Sequence, residues 1–414
     1  FSKEDFQMAQ VRIGHSLSEG ENIYRSGRKL SVQKWLVKNN IPCSLSKVPN
    51  IAILGSGGGE RAMVGMLGSL SQMGEQGLLD AALYMSGVSG STWCMASLYE
   101  KANWSSDMKQ IKVVAERLGH SSVSLKDKVW KLKKYHQTND NFSLTDVWAA
   151  LLVTTIVKKI DESTLSNYQT CHDQDPYPIY TVIDQDSKYK HLLQTFFELT
   201  PHEVGYTLAG AFVETSSFGS IFNKGVLTTP KPEMDMTYLQ GLCGSALADS
   251  EVILKTLKEW LKASDLGQRL LKRKTTHFED AGLLDNSPYM SALRAEREID
   301  LIISFDFSAG NPMEVRTKEC KKLDISFPAI NYTKTDKDFY VFKGLKKAPT
   351  VIHIPLFNIA NCGSECEAYR DKYRTFQGAY SPEMIEDLMK KAGENVLNNK
   401  EKLLREIAGI VQQK

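Results

Sequence analysis

No run of the 414 residues is long and apolar enough to cross a bilayer as a helix, which argues against a membrane-spanning chain, and no secretory leader is visible. Charge of either sign is not in excess. Fifty-one lysines and arginines face 49 acids, a net charge of +2, so electrostatics makes no case for nucleic acid or for strong membrane steering. Cysteines number only seven, an odd count scattered from Cys43 to Cys366. That pattern does not make a disulfide scaffold and points to a reducing, cytoplasmic setting. Cys362-Gly-Ser-Glu-Cys366 lacks a second ligand pair, so no zinc site is expected, and no metal or cofactor constellation is legible. Internal repeats and low-complexity tracts are missing too, which excludes a solenoid. The chain begins at Phe1 rather than Met and is expected to be a piece of a longer protein. With 42% hydrophobic and 24% charged residues, what is present can bury a large α/β core as one elaborated domain.

The most informative stretch is Gly87-Val88-Ser89-Gly90-Ser91. It follows the short apolar run Ala82–Met85 and precedes a helical pattern, so it reads as a strand, a sharp turn and a helix. A serine nucleophile needs such a strained, exposed turn, with small residues two places before and after it. Gly87 and Ser91 meet that demand, Gly90 frees the turn, and Ser89 is the residue lifted out. A plain Ser-Gly-Ser turn is the bland alternative.

Upstream, the strand-like Asn50–Leu54 enters Gly55-Ser56-Gly57-Gly58-Gly59-Glu60-Arg61, and a helix follows with Met63, Met66, Leu67, Leu70 and Met73 on one face. Consecutive glycines before a helix bare amides to an anion at its positive end. A dinucleotide pyrophosphate satisfies the loose spacing Gly57-x-Gly59-x-x-Ala62. It would also want an acid at the end of the next strand, which ends instead in Met85-Ser86-Gly87. The other candidate anion is the oxyanion of an acyl-transfer intermediate, held by the amides of Gly58 and Gly59 beside Ser89.

A weak hydroxyl nucleophile needs a base. Phe278-Glu279-Asp280-Ala281-Gly282 places Asp280 at a strand end beside small residues, although most Asp-Ala-Gly tripeptides merely start turns. Of the eight histidines, only His353 completes the order Ser89, Asp280, His353, and it sits in the strand-like Val351-Ile-His-Ile-Pro355, where a core histidine is expected. His202 and His277 lack a context suited to a base. Without histidine, Asp280 itself must accept the proton, which desolvation would favour. Arg61 offers a planar fork for a phosphate or, more plainly, a first-turn ion pair.

Residues 22–39 read as a surface helix with Tyr24, Leu30, Trp35 and Leu36 inward. The core is expected over about 40–104 and 251–414, with a cap over about 105–250. A basic amphipathic stretch at 251–274 could touch lipid or be a solvated helix end, and 298–306 and 351–357 read as core strands. Residues 382–411 form a closing helix with an apolar stripe from Ile385 to Val411.

The three motifs, with Ser143-Leu-Thr-Asp146-Val-Trp148, Pro176-Tyr-Pro178, Phe197-Glu-Leu-Thr-Pro-His202, Gly241-Leu-Cys-Gly-Ser-Ala246, Ser304-Phe-Asp-Phe-Ser-Ala-Gly310 and Pro355-Leu-Phe-Asn358, resemble the group IV cytosolic phospholipases A2 of the patatin-like lipase superfamily. The likeness runs from about residue 20 to the C-terminus and is greatest to the gamma-type branch, which lacks a calcium-binding C2 module. It implies a three-layer α/β/α core with a central mixed sheet, a nucleophile elbow and a cap. It makes Ser89 the nucleophile, Asp280 its base in a Ser–Asp dyad, Gly58 and Gly59 the oxyanion amides, and Arg61 and Arg297 phosphate ligands. The implied activity is calcium-independent phospholipase A2 and lysophospholipase, with lysophospholipid transacylase as a further outcome. Implied partners are phospholipids and lysophospholipids at a membrane or micelle surface, with no nucleic acid and no nucleotide cofactor. The implied location is cytoplasmic, peripheral to the endoplasmic reticulum or other internal membranes. Two departures stand out: Glu60 occupies a place usually apolar in relatives, and the lid expected near 265–279 is short or missing. Rivals from other classes are a His-dependent esterase, a dinucleotide oxidoreductase and a non-catalytic membrane or protein-interaction module.

Overall fold

The computed structural model describes residues 10–139, 142–170, 174–184, 195–244, 278–280, 286–310, 320, 325–330, 337–345, 347–375, 377 and 379–414. Apolar strand sequences gather in one eleven-stranded sheet. Its strands are β1 (Arg12–Ile13), β2 (Ile51–Gly55), β3 (Tyr84–Gly87), β4 (Tyr177–Asp184), β5 (Phe196–Leu199), β6 (Glu203–Tyr206), β7 (Ala211–Glu214), β10 (Phe278–Asp280), β11 (Leu301–Asp306), β12 (Tyr340–Phe342) and β13 (Thr350–Pro355). The short hairpin β8 (Ile221–Asn223) and β9 (Val226–Thr229) stands apart. The order is β1-β7-β6-β5-β4-β3-β2-β11-β13-β12, with β10 also paired to β4. The centre, β4-β3-β2-β11-β13, is parallel, and the flanks are antiparallel.

The parallel strands are buried on both faces, as their unbroken apolar runs require. Side chains alternate between the faces. Ile51, Ile53, Met85, Ile303, Phe305 and Ile352 join one core, and Ala52, Leu54, Tyr84, Ile302 and Val351 join the other. The first core is covered by α2 (Glu60–Glu75), α3 (Gly90–Tyr99), α4 (Lys109–His120) and further helices α5 (Leu125–Thr138), α6 (Leu144–Val147), α7 (Thr154–Val157) and α8 (Met236–Cys243). The second is covered by α1 (Glu19–Lys38) and α9 (Tyr289–Ala292). After the short α10 (Ile359–Cys362) and α11 (Cys366–Lys372), α12 (Pro382–Gln413) closes against α2, burying Ile385, Leu388, Ala392, Val396, Leu403 and Ile407. The result is the expected layered α/β architecture with a mixed sheet.

Two expectations change. Leu30 of α1 is exposed, because the inward face runs through Tyr24, Arg28, Val32 and Trp35, and position 30 falls off that stripe. Residues 177–214, expected in a cap, instead carry β4–β7 of the central sheet. The 251–274 stretch and the 265–277 part of the expected lid lie outside the described residues.

Candidate active site

Two strand–turn–helix units stand side by side, their strands ending in register at Gly55 and Gly87. The residues that begin the two helices share one backbone conformation: Gly59 at φ 60°, ψ −138° and Ser89 at φ 54°, ψ −130°. Glycine reaches positive φ freely, whereas a serine held there stores about 1–3 kcal/mol of strain. Packing imposes this on Ser89, since a Cβ at Gly90 would stand 1.8 Å from the Gly59 carbonyl oxygen. The elbow is therefore braced directly against the glycine loop. Ser89 was expected to stand exposed, yet it is buried, with the glycine loop over it: a Cβ at Gly57 would come within 3.0 Å of the Ser89 Cβ.

Polar contacts fix the loop from below. Ser91 Oγ donates to the Ser56 carbonyl at 2.6 Å. Ser56 Oγ accepts from the Phe307 amide at 2.7 Å and donates to Asp306 Oδ1 at 3.1 Å. Asp306 Oδ1 also accepts from the Ser308 amide at 2.9 Å. Asn286 accepts the Gly57 N–H on its carbonyl at 2.9 Å and returns its side-chain amide to the Gly57 carbonyl at 3.3 Å. Among the described residues the N–H groups of Gly58 and Gly59 have no acceptor, and they lie at the positive end of α2. Donors so arranged suit an oxyanion beside Ser89.

Asp280 reaches the same place by strand register. In β4, Tyr177–Tyr180 pair with β3, and Tyr180–Ile183 pair with β5. Val182 and Ile183 also pair with β10, where Asp280 faces Val182. A strand has two edges, so β10 must occupy the edge that β3 vacates as it turns into Ser89. Gly87 faces Tyr180, and Asp280 comes two residues further along, level with the elbow. The backbone of Asp280 is thereby brought to Ser89.

The two arginines sit differently. Arg61 is buried beside the loop, donating through Nε to the Phe307 carbonyl at 2.7 Å and through Nη1 to the Tyr373 carbonyl at 2.6 Å. Burial pushes its pKa down, opposed by Tyr380 and Asp306. Its Nη2 has no partner among the described residues. Arg297 is enclosed by carboxylates: Nε meets Glu21 at 2.8 Å, and Nη1 and Nη2 meet Glu198 at 2.9 Å each. Burial works against its charge, but Glu198 and Glu21 outweigh that and raise its pKa. It lies over Tyr84, at the opposite end of β3 from the elbow, and its guanidinium is already neutralised. The geometry supports a structural ion pair for Arg297, not the phosphate contact expected of it.

Glu60, the first residue of α2, is buried, and its carboxyl pKa is pushed up to about 7 by burial, against the pull of the Tyr380 N–H and Lys158.

His353 and His202 stay out of the site. His353 lies on β13, separated from β3 by β2 and β11, about 14 Å across the sheet. Its Nε2 faces Asp306 Oδ2 at 3.7 Å. His202 Nδ1 pairs with the Tyr177 hydroxyl at 2.9 Å, at the far end of β4 from Asp280, and burial lowers its pKa. His277 lies outside the described residues. Sequence reasoning missed Ser56, Asn286 and Asp306 as loop supports. Their only signal was position, just inside the glycine loop, just after the aspartate motif and at the end of a core strand.

A strained serine elbow, bare amides beside it and an aspartate-bearing strand at the same sheet edge define an acyl hydrolase of the α/β class. Residues 51–300 match the lysophospholipase catalytic domain family. Among similar proteins, human cytosolic phospholipase A2 gamma is 31% identical, with 97% of this chain and 96% of that protein covered. The mouse gamma protein is 28% identical, covering 94% and 91%, and human cytosolic phospholipase A2 zeta is 29% identical, covering 95% of this chain and 61% of that protein. Human GIVD cytosolic phospholipase A2 shares the fold, with a TM-score of 0.85 at 22% identity, covering 99% of this chain and 69% of that one. The same enzyme has been solved with methyl gamma-linolenyl fluorophosphonate bound. The chain belongs to the cytosolic phospholipase A2 family, with the lysophospholipase catalytic domain, and is a phospholipid ester hydrolase.

Proposed function

We propose that this chain hydrolyses fatty-acyl esters of glycerophospholipids and lysophospholipids through an acyl-Ser89 intermediate, with Asp280 as the base. Ser89 Oγ attacks the ester carbonyl as Asp280 takes its proton. The carbonyl oxygen becomes an oxyanion, which the amides of Gly58 and Gly59 stabilise. Collapse forms the acyl-serine ester and expels the glycerol oxygen, which leaves with a proton. Water, activated by Asp280, releases the fatty acid and restores Ser89. A lysophospholipid hydroxyl taking the place of water makes the same site a transacylase.

The observation that carries this is the edge of β4, where β3 gives way to the turn at Ser89 and the edge continues as β10 with Asp280. His353 has no comparable support as the base, because it is three strands away. We take the chemistry to be calcium-independent, because each step above is assigned to Ser89, Asp280 and the loop amides. No described helix is long and apolar enough to cross a membrane. From its cytosolic relatives, we take the enzyme to meet its substrate at a membrane or micelle surface from the cytoplasmic side. Product analysis by mass spectrometry on defined phosphatidylcholine and lysophosphatidylcholine, with and without excess chelator, tests this. Free fatty acid from both substrates in chelator is expected. No acyl release, or release only after calcium is restored, would refute it.

A further inference from the structure

The N–H groups of an oxyanion hole work only if they point at the oxygen, and in a glycine loop sterics do not fix that direction. The Gly58 N–H belongs to the peptide that joins Gly57 to Gly58. A glycine on each side leaves that peptide without a Cβ to hinder its rotation, and Gly58 stands at φ 148°. The peptide is planar and trans, so its N–H points opposite to the Gly57 carbonyl. A donor that grips this carbonyl from behind therefore aims the N–H. Asn286 Nδ2 donates to it at 3.3 Å. Ser56 Oγ lies equally near, but its one hydrogen goes to the Asp306 carboxylate at 3.1 Å, the nearer and charged acceptor.

The direction of the Asn286 amide follows from its neighbours. Asp306 Oδ1 accepts from the Ser308 hydroxyl and from the Ser308 N–H at 2.9 Å. With its hydrogen committed, Ser308 Oγ can only accept, and Asn286 Nδ2 donates to it at 2.5 Å. The Gly57 carbonyl is an acceptor too, so the NH2 group faces both and Oδ1 is turned away from them. Oδ1 and the Ser89 Cβ lie against one point, 2.3 and 3.0 Å from where a Cβ of Gly57 would stand. The preceding peptide is fixed at both ends, since the Asn286 carbonyl accepts the Gly57 N–H at 2.9 Å and Ser91 Oγ holds the Ser56 carbonyl at 2.6 Å. Among the described residues, the peptide bearing the Gly58 donor is held from behind by that one side-chain amide.

We infer that Asn286 is a positioning residue of the oxyanion hole. It grips the Gly57 carbonyl so that the Gly58 N–H faces the oxygen forming at Ser89, and Asp306, through Ser308, sets which way its amide is turned. This rests on the acyl-hydrolase reading above. Asn286→Ala keeps the backbone bond to the Gly57 N–H but releases the Gly57 carbonyl. The peptide between the two glycines is then free to turn, and the hole loses one aimed donor while the substrate-binding surface is unchanged. Ser308→Ala keeps the amide but removes the acceptor that directs it.

The test compares kcat/KM on one lysophospholipid, the Ki of a trifluoromethyl ketone with the same acyl chain, and the Kd of an ether-linked lysophospholipid. Ser89 Oγ adds to the ketone carbon, its proton passes to Asp280, and the carbonyl electron pair becomes an oxyanion. The ether has no carbonyl and reports binding alone. Asn286→Ala should lower kcat/KM and weaken the ketone by about 100-fold each, the worth of one oxyanion donor, with the ether Kd within a few-fold of wild type. Ser308→Ala should move the first two in the same sense by less. A folded Asn286→Ala enzyme with wild-type kcat/KM would overturn the assignment. So would a loss matched by an equal loss of ether binding, which marks a deformed site rather than a missing donor. If Asn286→Ala does not fold, Ser308→Ala decides by the same split. Failure of the wild type to hydrolyse any ester would instead sink the acyl-hydrolase reading beneath it.

Discussion

Gly90→Ala isolates the contact between the elbow and the glycine loop without touching a reacting atom. A Cβ at Gly90 would lie 1.8 Å from the Gly59 carbonyl oxygen and 2.7 Å from its carbonyl carbon. Both obstacles are backbone, so no side chain can swing away. Reaching a tolerable 3.0 Å requires the elbow and the loop to part by about 1.2 Å. That displacement separates Ser89 from the amides of Gly58 and Gly59, and a misplacement of about 1 Å at a reacting centre costs on the order of 100-fold in rate. Acylation should therefore fall by about 100-fold, equivalent to about 2.7 kcal/mol in the barrier. Overpacking should lower fold stability by a more modest 1–3 kcal/mol or so. The assay is the second-order rate of fluorophosphonate labelling, alongside a thermal melt showing a cooperative transition. A folded Gly90→Ala protein labelled within a few-fold of wild type would show that the loop amides take no part in acylation.

Asp280→Asn should approach Ser89→Ala in loss of phospholipid hydrolysis, while His353→Ala leaves acylation within a few-fold, both read as initial rates on one substrate. A folded His353→Ala enzyme reduced to the Ser89→Ala background would mean the base is histidine. Arg297→Met leaves buried Glu21 without its cation and Glu198 with Arg294 alone, and should destabilise by about 3–5 kcal/mol in a denaturant titration. A loss confined to phospholipid turnover would instead restore the phosphate role. Glu60 tests the pH dependence of folding. Its folded pKa, raised from 4.5 to about 7, means the folded state binds this proton more tightly than the unfolded chain. Its contribution is intact below about pH 4.5 and lost as pH rises through 7, by about 3 kcal/mol in all. The Tyr380 N–H and Lys158 are the groups that act against that shift, and both lessen the loss. Glu60→Gln should thus gain on wild type between pH 5 and 8, and parallel stability curves would contradict this.

Much of the site was written locally. Glycine-rich turns between an apolar strand and a helix state their own geometry, so Ser89, Gly58 and Gly59 could be read directly from spacing. The strands around them followed from unbroken apolar runs, which also marked them as buried on both faces. What the sequence could not express was pairing across distance. Nothing near Asp280 says that β10 extends the edge of β3, since that follows from how β4 shares its two sides. The same holds for Arg297, whose partners Glu21 and Glu198 lie 276 and 99 residues away and turn a plausible phosphate ligand into a core ion pair. Residues 177–214 misled for a related reason. Their mixture of aromatic, polar and loop-like blocks resembles a cap, but antiparallel strands at the flank of a sheet need only alternate.

The most direct test of the account is where the acyl group goes. Wild-type protein mixed briefly with a lysophospholipid and acid-quenched should yield, by peptide mass spectrometry, a fatty-acyl ester on Ser89. The ester should be absent from Ser89→Ala and should accumulate if deacylation is slowed. An acyl group on Ser91, on another residue, or on none while hydrolysis proceeds would contradict it.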